Sequence, residues 1–224
     1  MIHSTFWRTR WCIGLLAASL VWAGPFEDAE AMLKAGKVRE AEAAFSALIS
    51  LMPANADALL GRARARILLK DVTGAAADLD QAVALAPQKA EAWRRRALLR
   101  MEQRQIEGAL ADMDKVVALA PTHAASYRNR AGAHLVAKNY HAVVVDCTEA
   151  IRLDPGNATA YSQRALAWDR LGDSPLALAD YEKTLSLDPK NETAQTRRAA
   201  LRRAAGLPVD APLPGIGVSL LDFV

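Results

Sequence analysis

The chain has 224 residues, of which 52% are hydrophobic and 24% are charged. This composition is too apolar for an intrinsically disordered chain and sufficient for a buried core. The formal net charge is +3 and no basic run with interleaved aromatic residues occurs, so nucleic-acid binding is not indicated. Alanine, leucine and arginine are abundant, which favours helices.

The N-terminal segment, residues 1–23, has the organisation of a secretory signal peptide. Arg8 and Arg10 precede the apolar run WCIGLLAASLVWA at positions 11–23, which ends in compact residues before Gly24. A membrane-spanning helix needs about 20 apolar residues, so this run is short for one. We therefore expect cleavage after Ala23 and export, to the periplasm or as a secreted protein. An uncleaved membrane anchor is the alternative.

Proline recurs at a constant interval in the rest of the chain. A column of large residues and a column of small residues share this interval. The prolines are Pro53, Pro87, Pro121, Pro155 and Pro189, the large residues are Leu59, Trp93, Tyr127 and Tyr161, and the small residues are Ala63, Ala97, Ala131, Ala165 and Ala199. A fixed period of about 34 residues is typical of repeat proteins.

Each repeat is predicted to contain two α-helices. The first extends from the proline to a break such as Gly172-Asp173, and the second ends at the next proline. Asp173 is placed to cap a second helix whose first turn contains Pro175. Since a single helix pair cannot bury its apolar face alone, the repeats have to stack, which predicts an all-α solenoid.

The columns of this sequence resemble those of the tetratricopeptide repeat. The stretch YSQRALAWDRLGDSPLALADYEKTLSLDP at 161–189 carries the resemblance most clearly. The resemblance implies a right-handed superhelical solenoid of stacked antiparallel helix pairs over residues 24–205. Five repeats fit the sequence, and the first departs from the pattern because Pro25 occupies its aromatic column. The repeats lie at about 22–55, 56–89, 90–123, 124–157 and 158–191, and a capping helix follows at 192–205.

An arginine replaces the family's usual core leucine in every repeat but the first, and a column of the second helix contains an aspartate. The arginines are Arg62, Arg96, Arg130, Arg164 and Arg198, and the aspartates are Asp78, Asp112, Asp146 and Asp180. Each aspartate lies nearly midway in sequence between two of these arginines, so it can reach either. The first repeat has Asp28 and Ala44 in these columns and lacks both partners together, which favours pairing within a repeat and leaves Arg198 at the exposed cap. We expect a structural ladder of bidentate arginine–carboxylate pairs, because an active site is normally built once rather than in five copies.

Motifs for catalysis or metal binding are missing from the sequence. No CxxC, HExxH, GxGxxG or phosphate-loop pattern occurs, and His123, His134 and His141 have no metal-ligand spacing with Cys147. His134 and Cys147 lie in core columns of the repeat, so packing is their expected role. We therefore expect no enzymatic activity, no cofactor and no metal.

The resemblance also implies where a partner binds. In this family, side chains on the inner wall of the first helices bind an extended peptide or a partner helix. The corresponding residues of this chain are Leu60, Arg64, Ile67, Arg94, Leu98, Met101, Arg128, Leu135, Leu166 and Arg170. An apolar wall with a row formed by Arg64, Arg94 and Arg128 suits a ligand with apolar side chains and carboxylates, and a solvated face with ordinary arginines is the alternative. Some members hold a terminal carboxylate with a lysine–asparagine set, but Leu98 and Gly132 stand where that asparagine is needed, so this activity is not carried over.

The C-terminal tail, residues 206–224, breaks the repeat pattern. Pro208, Pro212 and Pro214 oppose a helix, and the chain ends in the apolar stretch VSLLDFV. We expect the tail to pack against the last helices. The alternatives are docking in its own groove, on a partner, or on a second copy, which would give self-association.

These features predict an exported, non-enzymatic scaffold or adaptor that binds a protein or peptide partner. They indicate neither nucleic-acid binding nor membrane binding once the signal is removed. One alternative is a membrane-anchored assembly factor that retains its N-terminal helix, and another is an accessory subunit of an envelope enzyme complex. The mass of the mature chain separates the anchored form from the exported one.

Overall fold

The computed structural model describes residues 24–209, so the predicted signal peptide and residues 210–224 of the tail lie outside the described residues. Between these limits the chain forms eleven α-helices and no strand. The helices are α1 (Pro25–Lys34), α2 (Val38–Leu51), α3 (Ala56–Leu68), α4 (Val72–Leu85), α5 (Ala90–Glu102), α6 (Ile106–Leu119), α7 (Ala124–Val136), α8 (Tyr140–Leu153), α9 (Ala158–Leu171), α10 (Ser174–Leu187) and α11 (Glu192–Ala204). The prediction of an all-helical fold is confirmed.

The helices belong to two compact units. The N-terminal unit ends at Leu85 and contains α1–α4, and the C-terminal unit begins at Ala86 and contains α5–α11. Within each unit every helix packs against the next one along the chain, and first helices of successive repeats also meet, since α1 contacts α3 and α7 contacts α9. The eleven helices therefore form five pairs followed by a single last helix, α11, which packs on α10.

Polar side chains at fixed positions begin several of these helices. Asn55, Asn157 and Asn191 each precede a first helix, and their side chains accept a hydrogen bond from the backbone N–H three residues later. Asp173 caps α10 in the same way, with Pro175 in the first turn, as the sequence predicts. These caps satisfy backbone donors that a helix leaves unpaired at its start.

The turn after each first helix uses one residue in the left-handed region. These residues recur once in each repeat with φ between 58° and 87°, and they are Gly36, Lys70, Arg104, Lys138, Gly172 and Gly206. Glycine adopts this conformation without a steric penalty, which accounts for its use in three of the six turns. Because Gly206 follows α11, the repeat geometry continues beyond the last helix.

The core of each unit is built from small residues and a few large ones. In the N-terminal unit, Phe45 is fully buried against Ala29 and Ala41, and its ring meets that of Phe26 edge-on at 5.7 Å between centroids. Phe26 thus supplies an aromatic ring next to Pro25, which occupies the aromatic column of the first repeat. In the C-terminal unit, Met113, Cys147 and Tyr181 occupy the equivalent buried column, with alanines around them.

Four of the five ladder arginines bind an aspartate with two hydrogen bonds each. The donors are Nε and Nη2, and their distances to the carboxylate oxygens lie between 2.6 and 3.0 Å. The pairs are Arg62–Asp78, Arg96–Asp112, Arg130–Asp146 and Arg164–Asp180, so each aspartate binds the arginine of its own repeat. The aspartates are only 2–7% exposed, and such a buried carboxylate needs a cation beside it.

The remaining guanidinium nitrogen, Nη1, connects the pair to the preceding second helix. These contacts are Arg62 to Ser46, Arg130 to Asp114 and Arg164 to Thr148, at distances between 2.9 and 3.3 Å. In the C-terminal unit the guanidinium groups also lie over aromatic rings, at 4.9 Å for Arg96 on Trp93, 6.0 Å for Arg130 on Tyr127 and 5.7 Å for Arg164 on Tyr161. Arg130 and Arg164 therefore each contact the helix before their own, the helix after it, and an aromatic ring on their own helix.

A second arginine column, which the sequence analysis did not identify, supports two of the aspartates. Arg66 donates through Nη1 to Asp78 at 2.8 Å, and Arg100 donates to Asp112 at 2.9 Å. The same nitrogens reach the backbone carbonyls of Gly74 and Gly108 at the start of the second helix. The signal in the sequence was the spacing, because residues four apart on a helix share one face.

The fifth arginine differs from the others. Arg198 has no aspartate partner among residues 24–209, and its Nη1 lies 3.5 Å from both carboxylate oxygens of Glu182, which precedes it in the chain. Its side chain is half-buried, although the sequence analysis places it at an exposed cap. The expectation of exposure is therefore wrong, because the arginine packs against α10.

The ladder makes a testable prediction at Asp146. Replacing it in Asp146→Ala leaves Arg130 without its bidentate partner, and we expect a loss of about 3–5 kcal/mol in the free energy of unfolding. Adding Arg130→Leu should recover part of this loss, because leucine removes a guanidinium whose Nε and Nη2 have lost their acceptor. Adding Arg164→Leu should not, since it also strands Asp180. Thermal and urea melts of the three variants provide the measurement, and a wild-type melt of Asp146→Ala would contradict a structural ladder.

Two helical glycines provide a matched test of packing. A Cβ atom at Gly61 would overlap the buried ring of Phe45, whereas one at Gly132 would meet only the end of the Gln163 side chain, at 3.5 Å. We expect Gly61→Ala to destabilise the fold by about 1–3 kcal/mol through overpacking. Gly132→Ala should stabilise it by up to about 1 kcal/mol, because alanine is the better helix former. Equal unfolding midpoints for the two variants in urea would contradict this packing.

Candidate functional site

The residues that the resemblance places on the inner wall differ in how much surface they offer. In the N-terminal unit, Leu60 is only 5% exposed and Ile67 is half-buried, so Leu60 has little surface left for a partner. In the C-terminal unit, Leu98 on α5 is 41% exposed. Leu135 on α7 and Leu166 on α9 are half-buried. Leu98 is therefore the most accessible of these apolar side chains.

Two of these apolar side chains also contribute to the core. Met101 packs against the cluster that contains Met113, and Leu135 packs against the cluster that contains Cys147. Val136, next to Leu135 at the end of α7, is 47% exposed. Leu98 and Val136 thus present more free apolar surface than Met101 does.

The arginines predicted to form a row are not equivalent. Arg64 donates through Nη1 to both carboxylate oxygens of Glu30, at 2.8 Å each. Arg94 makes a bidentate contact with Glu91, with both distances at 2.7 Å. Burial raises the pKa of Glu91, but the hydrogen bond from Arg94 and the charge of Arg95 outweigh it, so the pKa lies below its usual value. The positive charges of Arg64 and Arg94 are therefore already compensated within the protein.

Arg128 and Arg170 have no such compensation within the described residues. Arg128 is half-buried on α7 and donates to the side-chain oxygen of Asn129 at 3.2 Å, a neutral acceptor. Arg170, at the end of α9, is exposed and forms no ion pair with another residue in the range 24–209. Both helices belong to the C-terminal unit, where α7 and α9 contact each other. The C-terminal unit thus combines two available cations with exposed apolar side chains on its first helices.

His134 and Cys147 have environments that suit packing. Burial lowers the pKa of His134, whose Nε2 lies 4.0 Å from a carboxylate oxygen of Asp146. It occupies the column of Arg66 and Arg100, and so stands beside the aspartate of its own repeat. Cys147 is fully buried, and burial raises the pKa of its thiol to about 12, so the thiol stays protonated and unreactive.

Residues 24–209 contain neither a metal-ligand cluster nor a membrane-spanning helix. No cluster of three or more histidine, cysteine, aspartate or glutamate side chains there is arranged to hold a metal ion. Nor does that part of the chain contain a helix with the length and apolar character needed to cross a membrane.

The acidic partners of Arg64 and Arg94 were not predicted from the sequence. Glu30 occupies the same position as Arg64 one full repeat earlier, and Glu91 lies one turn before Arg94 on the same helix. The spacing of Glu91 and Arg94 was visible in the sequence as a charge pair on one helix face. The pairing of Glu30 with Arg64 could be recognised only once it was known that α1 and α3 pack together.

Comparison with known proteins agrees with this architecture. Residues 26–90 and 94–142, more than half of the chain, match the family model described as tetratricopeptide repeat. No curated protein matches the chain significantly.

Several solved structures share the fold. The crystal structure of MamA is 19% identical, with a TM-score of 0.66, and the match covers 72% of this chain and 95% of that one. YrrB, described as a TPR protein with an unusual peptide-binding site, is 14% identical with a TM-score of 0.65, covering 77% and 89%. The first TPR domain of Spaghetti (RPAP3), bound to the HSP90 peptide SRMEEVD, is 27% identical with a TM-score of 0.52, covering 53% and 94%. Since the family model matches more than half of the chain and the helix pairs repeat with its period, the chain belongs to the tetratricopeptide repeat family.

Proposed function

We propose that this protein is a non-enzymatic, exported scaffold that binds a peptide segment of a partner protein on the first helices of its C-terminal unit. The observation that carries the proposal is the pair Arg128 and Arg170, which have no carboxylate partner among the described residues. Arg128 lies eight residues before the exposed Val136 on α7, and Arg170 lies four residues after the half-buried Leu166 on α9.

The chemistry of this surface selects the ligand. A guanidinium binds a carboxylate through two parallel hydrogen bonds, which gives both affinity and orientation. Apolar side chains beside it gain free energy when a partner covers them, at about 25 cal/mol for each Å² buried. A peptide with one or two acidic residues next to apolar ones fits both requirements. Arg64 and Arg94 do not contribute to this selectivity, because Glu30 and Glu91 already bind them.

Two of the similar structures support peptide binding as the function. YrrB is described as having a peptide-binding site, and the RPAP3 domain is bound to a peptide whose sequence, SRMEEVD, contains three acidic residues. The lysine–asparagine set that some family members use is absent here, since Leu98 and Gly132 replace its asparagines. Recognition by Arg128 and Arg170 would therefore differ in its residues while using the same kind of ligand.

Export is the second part of the proposal, and it rests on the signal-like segment 1–23. Mass spectrometry of the protein recovered from its producing cells should give a chain that begins at Gly24, in the exported fraction. A membrane-bound chain that keeps Met1 would contradict cleavage and favour the anchored assembly factor. A full-length chain in the cytosolic fraction would contradict export altogether.

The binding surface is tested by charge reversal. In affinity capture from an envelope extract, we expect Arg128→Glu/Arg170→Glu to recover the partner at least about tenfold less well than the unchanged chain, because each charged hydrogen bond contributes about 1.5–3 kcal/mol. The matched control is Lys115→Glu/Lys183→Glu, which makes the same change in net charge at exposed positions of second helices.

Both variants should melt like the unchanged protein, which circular dichroism can verify. Equal recovery of the partner by the folded arginine variant would contradict this surface. If no partner is captured by any form, the solvated-face alternative is favoured over the scaffold.

A further inference from the structure

The described end of the repeat array continues the repeat geometry as far as residue 209. Gly206 adopts the same left-handed conformation as Gly172, one period earlier. The backbone N–H of Leu207 donates to the carbonyl of Arg202 at 2.9 Å, as that of Asp173 does to Trp168 at 2.9 Å. Residues 192–209 therefore reproduce a first helix and the turn that leads to a second one.

Arg198 occupies the ladder position in this last helix. In the four preceding repeats, the Nε and Nη2 atoms of the equivalent arginine bind an aspartate on the second helix. At the next position of that aspartate column, the sequence has Pro214 instead. The Nε atom of Arg198 is buried and finds no acceptor among residues 24–209. Its Nη1 makes only long contacts, of 3.5 Å, with Glu182.

Arg202 follows the same template. Its side chain is only 2% exposed, and Nη1 donates to the carbonyls of Pro208 at 3.1 Å and Val209 at 3.4 Å. Arg66 and Arg100 bind carbonyls in the same way and also bind the aspartate of their repeat. In Arg202, Nη2 lies 3.0 Å from Glu182, while the buried Nε has no acceptor in the described part of the chain. A buried guanidinium nitrogen without an acceptor is costly, so the site favours a carboxylate.

A cleft of about 450 Å³ lies beside Arg198, and it is lined by Leu185, Pro189, Gln195, Arg198, Ala199 and Val209. The cleft thus combines apolar walls with a guanidinium, as the interfaces inside the array do. Its surroundings are basic, because α11 contains four arginines and a single acidic residue, Glu192.

We propose that this cleft is a docking site for an aspartate-bearing helix of a partner protein, which packs on α11 as α10 packs on α9. The four helices that already fill this role define the ligand. Each has a small apolar residue or valine three positions before the aspartate, a residue of the buried core column directly after it, and a compact residue four positions after it. These buried sets are Ala75, Asp78, Leu79 and Ala82; Ala109, Asp112, Met113 and Val116; Val143, Asp146, Cys147 and Ala150; and Ala177, Asp180, Tyr181 and Thr184.

This site is separate from the peptide surface on α7 and α9, and its ligand is a helix rather than an extended peptide. The proposed ligand helix resembles α4, α6, α8 and α10 but belongs to another molecule. The aspartate would complete the contacts that Arg198 and Arg202 leave open among the described residues. A partner helix without an acidic residue at this position would leave the buried Nε atoms of Arg198 and Arg202 without an acceptor.

The test uses the full chain and a helix of known fit. The probe is a stapled peptide with the sequence of residues 173–187, which contains α10 and its cap. In a nuclear magnetic resonance titration we expect the side-chain N–H signals of Arg198 and Arg202 to shift. The same peptide with Asp180→Asn should bind about tenfold more weakly, since it loses the charged hydrogen bonds.

Two variants of the full chain make the result specific. Arg198→Leu, which restores the family's usual residue, should fold and lose about tenfold in affinity for the aspartate peptide. Arg203→Gln, at an exposed position of α11, should bind as the unchanged chain does. Equal binding of the two peptides, or no effect of Arg198→Leu, would overturn the proposal.

A third outcome would also overturn it. If Asp210→Asn or Asp222→Asn in the free full chain shifts the Arg198 N–H signal, then the protein's own tail supplies the carboxylate. None of these outcomes depends on Arg128 or Arg170, so the two proposals fail or succeed separately.

Discussion

A buried aspartate requires a cation beside it, and this requirement links the two helices of each pair. In four repeats, one guanidinium binds an aspartate of the following helix through two hydrogen bonds, and in three of them it also donates to the preceding second helix. The planar guanidinium offers its donors in fixed directions, so the helices can satisfy it in only one relative position. Apolar burial drives the stacking of the pairs, while the ion pairs select the arrangement.

The same requirement determines which charges are left for a partner. Several arginines of the first helices have an acidic neighbour: Arg62 has Asp78, Arg64 has Glu30 and Arg94 has Glu91. Within residues 24–209, Arg128 and Arg170 lack one, and the last helix has two guanidinium groups with unsatisfied nitrogens. Both proposed binding sites follow from this distribution. Both sites would take acidic ligands, because guanidinium nitrogens there have no acceptor or only a neutral one within residues 24–209.

Much of the fold could be read from the residues themselves. The repeat period, the alanine columns and the prolines predict the helix pairs, and Asp173 with Pro175 predicts the start of α10. The burial and the partners of the site residues were harder to predict from the sequence. Leu60 belongs to a wall column of the family yet is buried, and Arg66 and Arg100 look like ordinary surface residues although they bind buried aspartates. For both arginines the partner lies on the next helix, 12 residues along the chain, so the packing of two helices decides the contact.

By itself, the sequence determined the class of the protein: helical repeats, their length, their number, and an arginine and an aspartate at fixed columns. These properties are local, since helix propensity, caps and turn residues act within a few positions. The tertiary structure decided which partner each charge takes. Asp146 lies between Arg130 and Arg164 at nearly equal sequence separations, and only the packing of α7 on α8 determines that Arg130 is its bidentate partner. A hydrogen bond requires donor and acceptor within about 3 Å, and sequence spacing does not resolve distances on that scale.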